Sequence, residues 1–344
     1  MTDPAGTGQA SSPAPSSGVA LVTGGTGFVG SHLVDALVEE GWRVRCLVRP
    51  SSDPRWLPRD RIELARAGLD RPDALRDALA DVRVVFHLAG LTSATSRVDY
   101  TRVNVEGTRG LLAAVAARSP DALVVFCSSL AAAGPSPDGR PLTEADPPRP
   151  AGPYGESKLA AERLVQGSGL DHVVVRPPAV YGPRDPDILA AFRLAAWGLA
   201  PRIAPADQRL SLVHVRDLAH GFLDAAERGA GKGVFYMSDG GVHTWSEVIA
   251  AIGAAVGRRV RAVPLPRALA LVGAHAGRLV ARVTGRKPLL TPERVADLAR
   301  SAWVCDDSRA RRELGYETTF GLADGMRDTA AWYRDNRWLR ACHP

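Results

Sequence analysis

Lysine is almost absent from this chain of 344 residues. Of its 43 basic residues 40 are arginine, and the three lysines are Lys158, Lys232 and Lys287. A compact ammonium group and a planar guanidinium differ in geometry, so a lysine that remains is a candidate for a role that arginine cannot perform.

Long apolar runs and clustered cysteines are also missing. No uncharged apolar run reaches about 18 residues, so no membrane-spanning helix is expected. The four cysteines lie far apart without CxxC spacing, which predicts reduced thiols and a cytoplasmic setting. No His, Cys and Asp cluster has the spacing of a metal site, so no metal is expected. Residues 1–17 are rich in Ser, Pro, Gly and Ala, which predicts a disordered tail rather than a signal peptide.

The formal net charge of +6 raises the question of a nucleic-acid partner. The arginines are spread along the chain and interleaved with Asp and Glu, without a basic block or an aromatic platform. The composition therefore argues against nucleic acid and leaves a small-molecule substrate as the expected partner.

Strands and helices alternate over the first half of the chain. Apolar runs predict strands at 19–23, 43–48, 62–65, 82–88, 122–127 and 171–176, and helical spacing predicts helices from residue 28 and at 73–79, 98–118 and 154–166. This alternation predicts an α/β fold with a Rossmann-type, doubly wound parallel sheet.

The second half is less regular. Later strands near 210–238, at 212–215 and 234–237, are expected to return to the sheet, with helices at 217–227 and 245–256. We expect a dinucleotide-binding domain over 18–180 and a smaller C-terminal lobe, mainly substrate-binding, over 181–344. Such a lobe would lie at the carboxyl ends of the strands, where these sheets bind ligands.

Glycines follow the first predicted strand at three-residue spacing. They are Gly24, Gly27 and Gly30, and Thr26 and Phe28 lie between them. The first glycine permits a tight turn, the second lets a pyrophosphate approach the backbone, and the third lets helix and strand pack closely. The helix N-terminus offers N–H groups and partial positive charge to phosphates. This context predicts a dinucleotide site rather than an ordinary glycine-rich turn.

Arg49 follows the second predicted strand, where an NAD-binding enzyme usually carries Asp or Glu. An arginine suits a 2′-phosphate, so NADP(H) is predicted as the preferred cofactor, with NAD(H) as the alternative. A solvated surface arginine is the other interpretation in a chain so rich in this residue.

Tyr154 and Lys158 lie four residues apart on a predicted helix and therefore on one face. A free phenol, with a pKa of about 10, is a poor base at neutral pH. An ammonium group about 5–6 Å away is predicted to lower that pKa by about two pH units. Ser129 ends the preceding strand, and its hydroxyl is expected to hydrogen-bond the reacting oxygen.

These segments together resemble the extended short-chain dehydrogenase/reductases, the NAD-dependent epimerase/dehydratase family. The matching segments are 23–30, 87–90, 104–108, 128–129, 154–158, 176–184, 314–316 and 332–333. The resemblance implies that Tyr154 gives or takes the proton and that Lys158 also binds the nicotinamide ribose. It implies that Ser129, with Ser128 as its rival, polarises the substrate carbonyl, and that Asn104 supports the site.

The same resemblance extends the set of cofactor contacts and suggests an assembly. It implies that Leu88, Ala89, Gly90 and Pro177 line the cofactor site, together with the glycine-rich segment, Tyr154 and Lys158. It also implies a homodimer formed through the helices that contain Asn104 and Tyr154.

The chain departs from the family pattern at three places. Gly68 stands where many members carry an Asp for the adenine, and Asp70 is shifted. Residues 131–134 replace a bulkier stretch, which predicts a roomier or more apolar pocket. Ala179 stands where nucleotide-sugar enzymes place an asparagine on the diphosphate, and alanine offers no such donor.

Residues 265–283 include Leu269, Val272, Leu279 and Val283 among alanines and arginines. They are interpreted either as an apolar helix face over a pocket or as an amphipathic helix packed on the core. The segment resembles the C-terminal part of 3β-hydroxysteroid-dehydrogenase-like members. It is too polar to span a membrane, although a peripheral contact with a membrane surface is compatible with its composition.

The sequence thus predicts an NAD(P)-dependent oxidoreductase that interconverts a secondary alcohol and a ketone. The substrate is expected to be largely apolar, with a sterol-like compound as one candidate. A nucleotide-sugar epimerase or dehydratase, with the same catalytic pair, is the alternative. A non-catalytic NADP(H)-binding regulator is a second alternative, against which the complete set of Ser129, Tyr154 and Lys158 argues.

Overall fold

The computed structural model describes residues 18–94, 96–202, 208–231, 233–284, 295 and 302–339. The predicted N-terminal tail, Lys232 and Lys287 lie outside the described residues. None of the described helices combines the length and the apolarity that crossing a bilayer requires.

A seven-stranded parallel sheet lies at the centre of the fold. Its strands are β1 (Val19–Thr23), β2 (Arg43–Val48), β3 (Glu63–Arg66), β4 (Val82–His87), β5 (Leu123–Cys127), β6 (His172–Arg176) and β11 (Gly233–Tyr236). The strand order is β11-β6-β5-β4-β1-β2-β3. The order reverses between β1 and β4, which places the ligand crevice of a doubly wound sheet beyond the carboxyl ends of these two strands. The predicted Rossmann-type fold is confirmed.

Helices cover both faces of this sheet. They are α1 (Phe28–Glu39), α2 (Pro72–Ala78), α3 (Arg97–Tyr100), α4 (Gly107–Arg118), α5 (Leu130–Ala133), α6 (Pro153–Gln166), α7 (Leu189–Ala196), α8 (Val215–Arg228), α9 (Trp245–Val256), α10 (Arg267–Thr284), α11 (Ser308–Leu314) and α12 (Leu322–Asp335). Ala20 and Val22 of β1 pack in the cluster that contains α1 and α8, whereas Val19 and Leu21 pack in the cluster that contains α2, α4 and α6. Alternate side chains of one strand thus serve both faces, which explains its uninterrupted apolar sequence.

The helix predicted over 98–118 is divided into three parts. The segment Thr101–Glu106 is π-helical and separates α3 from α4. It contains Asn104, whose side chain is buried. Single-turn π-helical segments are frequent at functional sites.

Smaller strands lie outside the central sheet. They are β7 (Ala179–Tyr181), β8 (Leu199–Arg202), β9 (Arg209–Leu210), β10 (Leu212–His214), β12 (His243–Thr244), β13 (Arg261–Pro264) and β14 (Ala302–Trp303). β10 pairs with β7, so the expectation that both later strands return to the main sheet is correct for β11 and wrong for β10. Pro177 and Pro178 lack an N–H and separate β7 from β6, which explains the second, smaller sheet.

Helix α10 does not present Leu269 and Val272 to a pocket. These side chains are 60% and 65% exposed, whereas Ala270 and Ala274 of the same helix are buried. The expectation of an apolar face over a pocket is therefore wrong for Leu269 and Val272. The side chains of Leu279 and Val283 lie outside the described residues.

Candidate active site

The glycine-rich segment forms a tight turn between β1 and α1. Gly24 has a φ of +78°, and a Cβ at this position would lie 2.7 Å from the backbone N of Ala89. A Cβ on Gly30 would lie 2.2 Å from the carbonyl oxygen of Gly24. Helix α1 then begins at Phe28 after Gly27, without a side-chain cap. Exposed backbone and an uncapped helix N-terminus fit the pyrophosphate of a dinucleotide.

The remaining predicted cofactor contacts lie at the carboxyl ends of the strands. Leu88, Ala89 and Gly90 follow β4, and Pro177 follows β6, where its carbonyl accepts a hydrogen bond from Leu130 N at 2.8 Å. Arg49 follows β2 with an exposed side chain. Thr26 lies within the turn and is partly exposed.

A buried histidine ties the ends of β1 and β4 to the helix that carries Asn104. His87 Nδ1 lies 2.7 Å from Thr23 Oγ1, and its Nε2 lies 2.9 Å from Thr108 Oγ1. Thr108 donates its own proton to the carbonyl of Asn104 at 2.6 Å, so His87 must donate from Nε2 and accept at Nδ1. Thr23 Oγ1 in turn accepts from Ala89 N. The histidine is a structural element of the cofactor loop.

Asn104 joins the loop after β4 to helix α6. Its Oδ1 accepts from Leu91 N at 2.7 Å, and its Nδ2 donates to Leu91 O at 3.0 Å and to Ser157 Oγ at 2.9 Å. Ser157 donates to the carbonyl of Tyr154 at 2.7 Å. The side chain thus orients the start of α6, which agrees with a supporting role.

The two neighbouring serines have different partners. Ser128 is buried and donates to Glu162, whose carboxylate also forms a buried ion pair with Arg176 at 2.6 Å. Ser129 caps α5 by accepting from Ala131 N at 3.1 Å, and its hydroxyl lies near enough to Tyr154 to lower the pKa of the phenol. The structure therefore favours Ser129 over Ser128 as the serine beside the phenol.

The predicted effect of Lys158 on the phenol is absent from this structure. Burial raises the pKa of Tyr154 above its ordinary value, nearby Cys127 raises it further, and the hydrogen bond with Ser129 lowers it. Lys158 instead directs its Nζ to the carbonyl of Cys127 at 2.5 Å, and burial lowers its pKa. The expectation of a lowered phenol pKa is wrong here, because desolvation raises this pKa and Lys158 does not lower it.

Lys158 also lies against the loop that follows β4. A Cβ on Gly90 would lie 3.2 Å from Asn104 Oδ1 and 3.8 Å from Lys158 Nζ. The ammonium group also lies 4.5 Å from the centre of the Phe126 ring. The site thus brings together Asn104, Lys158 and the predicted cofactor loop.

A small cavity opens beside Tyr154. Its volume is about 40 Å³, and its lining includes Tyr100, Ala131, Gly152 and Trp303. The lining is mainly apolar, as one form of the prediction for residues 131–134 had it. The cavity is small, so the other form, a roomier pocket, is not seen. Two aromatic side chains from distant segments, Tyr100 and Trp303, occupy the space beside the small residues, so a bulky substrate requires one of them to move.

Glu162 was not identified from the sequence, although it follows Lys158 at the same four-residue spacing on α6. That spacing places Tyr154, Lys158 and Glu162 along one side of the helix. The spacing was therefore a usable signal. The partner Arg176 comes from β6 and could not be inferred from local sequence.

We expect His87 to make the stability of the protein depend on pH. Its folded-state pKa is lowered from 6.5 to about 3, first by burial and then by Lys158. As pH falls from about 6.5 towards 3, the unfolded chain binds a proton that the folded protein excludes. The free energy of unfolding then decreases by about 1.4 kcal/mol per pH unit on account of this residue.

Urea denaturation at several pH values between 7.5 and 5 measures this effect. His87→Gln removes the titrating group, so its stability is expected to decline less steeply with acidification than that of the wild type. His32, whose pKa is also lowered to about 3, remains in both proteins and serves as the common background. Equal slopes for the two proteins would show that His87 is not the buried neutral group described.

Comparison with known proteins agrees with this geometry. The sequence profile of the NAD dependent epimerase/dehydratase family matches residues 20–236. A ceramide reductase of Caulobacter vibrioides is 34% identical over 94% of this chain and 96% of its own length. A 3-beta-hydroxysteroid dehydrogenase of Mycolicibacterium neoaurum is 27% identical over 92% of each chain. The crystal structure of gox2253 is 30% identical, with a TM-score of 0.77, and the match covers 94% of this chain and 99% of that one.

These matches cover the cofactor turn, the tyrosine–lysine helix and most of the C-terminal half. They confirm the family resemblance. The chain belongs to the NAD dependent epimerase/dehydratase family and is an oxidoreductase of the extended short-chain dehydrogenase/reductase type that uses a nicotinamide cofactor.

Proposed function

We propose that this protein interconverts a secondary alcohol and a ketone on a largely apolar substrate by net hydride exchange with NADP(H). The observation that carries the proposal is the position of the Ser129 hydroxyl beside the Tyr154 phenol, whose ring lines a small, mainly apolar cavity. A paired hydroxyl and phenol is the arrangement that a ketone oxygen needs when it becomes an alkoxide.

The chain's own residues divide the proton chemistry. In the reducing direction the Ser129 hydroxyl donates a hydrogen bond to the ketone oxygen, and Tyr154 transfers its phenolic proton to the same oxygen. The raised pKa of Tyr154 keeps that proton available at neutral pH. Lys158, held beside Gly90 and Asn104, orients the nicotinamide ribose. The bound nicotinamide supplies or accepts the hydride.

The apolar substrate class is supported by what the site lacks. Ala179 opens β7 with an exposed side chain that has no hydrogen-bond donor for a diphosphate. A diphosphate there would lose hydration without replacement, which is unfavourable for an anion. The relatives named above act, by their names, on a ceramide and on a 3-beta-hydroxysteroid, both of them lipids.

A paired substrate screen tests the proposal. Purified protein is offered bulky hydroxysteroids, long-chain alcohols and the matching ketones with each cofactor, and in parallel UDP-, GDP- and dTDP-sugars. We expect nicotinamide absorbance to change with the apolar compounds only. Epimerisation or dehydration of a nucleotide sugar, with no oxidation of apolar alcohols, would replace this function with the alternative one.

The preference for NADP(H) rests on Arg49. We expect Arg49→Ala to weaken NADPH binding by about 1.5–3 kcal/mol, the contribution of a charge-assisted hydrogen bond, and to leave NADH binding nearly unchanged. Arg43, exposed at the other end of β2, provides the matched control Arg43→Ala. Isothermal titration calorimetry with both cofactors measures the difference. If Arg49→Ala weakens the binding of NADPH and NADH equally, Arg49 does not bind the 2′-phosphate.

The proposal includes the organisation of the chain. Residues 18–180 would hold the cofactor and residues 181–344 mainly the substrate. The protein would form a homodimer through the helices that contain Asn104 and Tyr154, which are the π-helical segment that continues into α4, and α6. Analytical ultracentrifugation measures the assembly, and a monomer at micromolar concentration would contradict it.

A further inference from the structure

A long basic segment, residues 248–292, contains no acidic side chain. Its positive residues are Arg258, Arg259, Arg261, Arg267, Arg278, Arg282, Arg286 and Lys287. The expectation that arginines alternate with Asp and Glu along the whole chain is therefore wrong for this segment. Eight positive charges without a negative one give it an affinity for anionic surfaces.

Large apolar side chains are exposed where α7 leads into β8. Trp197, at the C-terminal end of α7, is 83% exposed, and its neighbours Leu194 and Leu199 are 40% and 45% exposed. Exposure of a tryptophan to this extent leaves an indole ring in water. Trp is the side chain most typical of the boundary between water and the acyl region of a bilayer.

Strand β13 of the basic segment lies directly against this apolar corner. Strand β13 pairs in parallel with β8, and the register sets Arg261 beside Leu199. Val263, two residues further along β13, is 46% exposed. Two residues separate β13 from helix α10, which exposes Leu269 and Val272 as described above. Exposed apolar and positive side chains thus share one strand pair and the helix that follows it.

We propose that this region is a docking surface for an anionic lipid bilayer. We call it the lipid-docking surface, and it consists of Leu194, Trp197, Leu199, the exposed residues of β13, and Leu269 and Val272 of α10. The apolar side chains would enter the head-group boundary while the arginines contact lipid phosphates. A second copy of this chain fits less well, because it would oppose two segments that carry only positive charge. The inference does not depend on the proposed function.

Co-sedimentation of the full chain with vesicles tests the proposal without any turnover. We expect binding to vesicles that contain phosphatidylglycerol, weak binding to pure phosphatidylcholine, and loss of binding at high salt. Trp197 emission should shift to the blue on binding. Trp197→Ser is expected to reduce partitioning at least about tenfold, because an exposed indole then no longer enters the boundary.

The charge contribution has its own variants. Each arginine near an anionic bilayer contributes about fivefold to partitioning, so Arg259→Glu with Arg261→Glu is expected to lose at least about 25-fold. Arg76→Glu, on the exposed surface of α2, makes a like charge reversal away from the surface and should bind as the wild type does. Because all these side chains are exposed, circular dichroism and thermal unfolding should remain unchanged.

The contrary results are equally definite. No binding to anionic vesicles, equal binding to zwitterionic ones, or wild-type binding by Trp197→Ser would each overturn the proposal. Suppose instead that the protein fails to bind vesicles and self-associates, with the self-association lost in Trp197→Ser. That result would assign the surface to a second copy of the chain. Reduction of a small water-soluble ketone should be the same for wild type and Trp197→Ser, so failure of the redox function is detected separately.

Discussion

Tyr154→Phe should lower turnover at least about 100-fold while leaving cofactor affinity nearly unchanged, because it removes only the proton that reaches the substrate oxygen. The ring and its packing remain, so the loss reports on the hydroxyl. Steady-state kinetics with an apolar ketone, together with a cofactor titration, separate these two quantities.

The neighbouring tyrosine provides the control. The Tyr100 ring lies 6.1 Å from that of Tyr154, and its hydroxyl is hydrogen-bonded to the backbone at residues 92 and 94. Tyr100→Phe removes a hydroxyl from the same cavity and should keep turnover within a few-fold of wild type. If Tyr154→Phe behaves in the same way, Tyr154 is not the acid.

Lys158→Arg should also abolish most activity although it keeps the positive charge. The ammonium group lies in a narrow space between Gly90, Asn104 and the Cys127 carbonyl. A planar guanidinium is longer and wider and cannot occupy that position. In a chain whose basic residues are almost all arginine, an active Lys158→Arg protein would contradict the special role given to this residue.

The second large effect concerns stability. Arg176→Met should reduce the free energy of unfolding by about 3–5 kcal/mol, because it leaves the Glu162 carboxylate buried without a positive partner. Both side chains are almost fully buried, at 5% and 1% exposure for Arg176 and Glu162. Urea denaturation followed by circular dichroism measures the loss.

A double variant distinguishes the lost charge pair from lost packing. Arg176→Met combined with Glu162→Leu removes both charges, so most of the stability should return. Ser128 then loses its acceptor, which leaves a smaller deficit. If Arg176→Met is as stable as the wild type, or if the double variant is no more stable than Arg176→Met, the ion pair does not stabilise the packing of β6 against α6.

The main sheet could be predicted because its inner strands are buried on both faces. The uninterrupted apolar run at Val19–Thr23 and the glycines after it follow from the local rules of a parallel sheet and a tight turn. The four-residue spacing of Tyr154 and Lys158 placed both on α6. Strands of two or three residues, such as β7 and β9, leave no comparable pattern.

The interactions within the site depended on contacts that span the chain. His87 bonds Thr23, 64 residues away, and no local pattern predicts that pairing. The distinction between Ser128 and Ser129 required Glu162 from another element. The phenol pKa was predicted in the wrong direction because spacing along a helix gives proximity to a charge but not the extent of burial. Trp303 reached the cavity from a segment for which no contact had been inferred.

The central claim is net hydride exchange between the cofactor and an apolar ketone at Tyr154. The most direct test incubates the protein with reduced cofactor deuterated at the nicotinamide carbon that carries the hydride, and analyses the product by mass spectrometry. We predict one deuterium on the carbinol carbon of an apolar alcohol with wild-type protein and almost none with Tyr154→Phe. Deuterium-free apolar products alongside an epimerised or dehydrated nucleotide sugar would contradict the account.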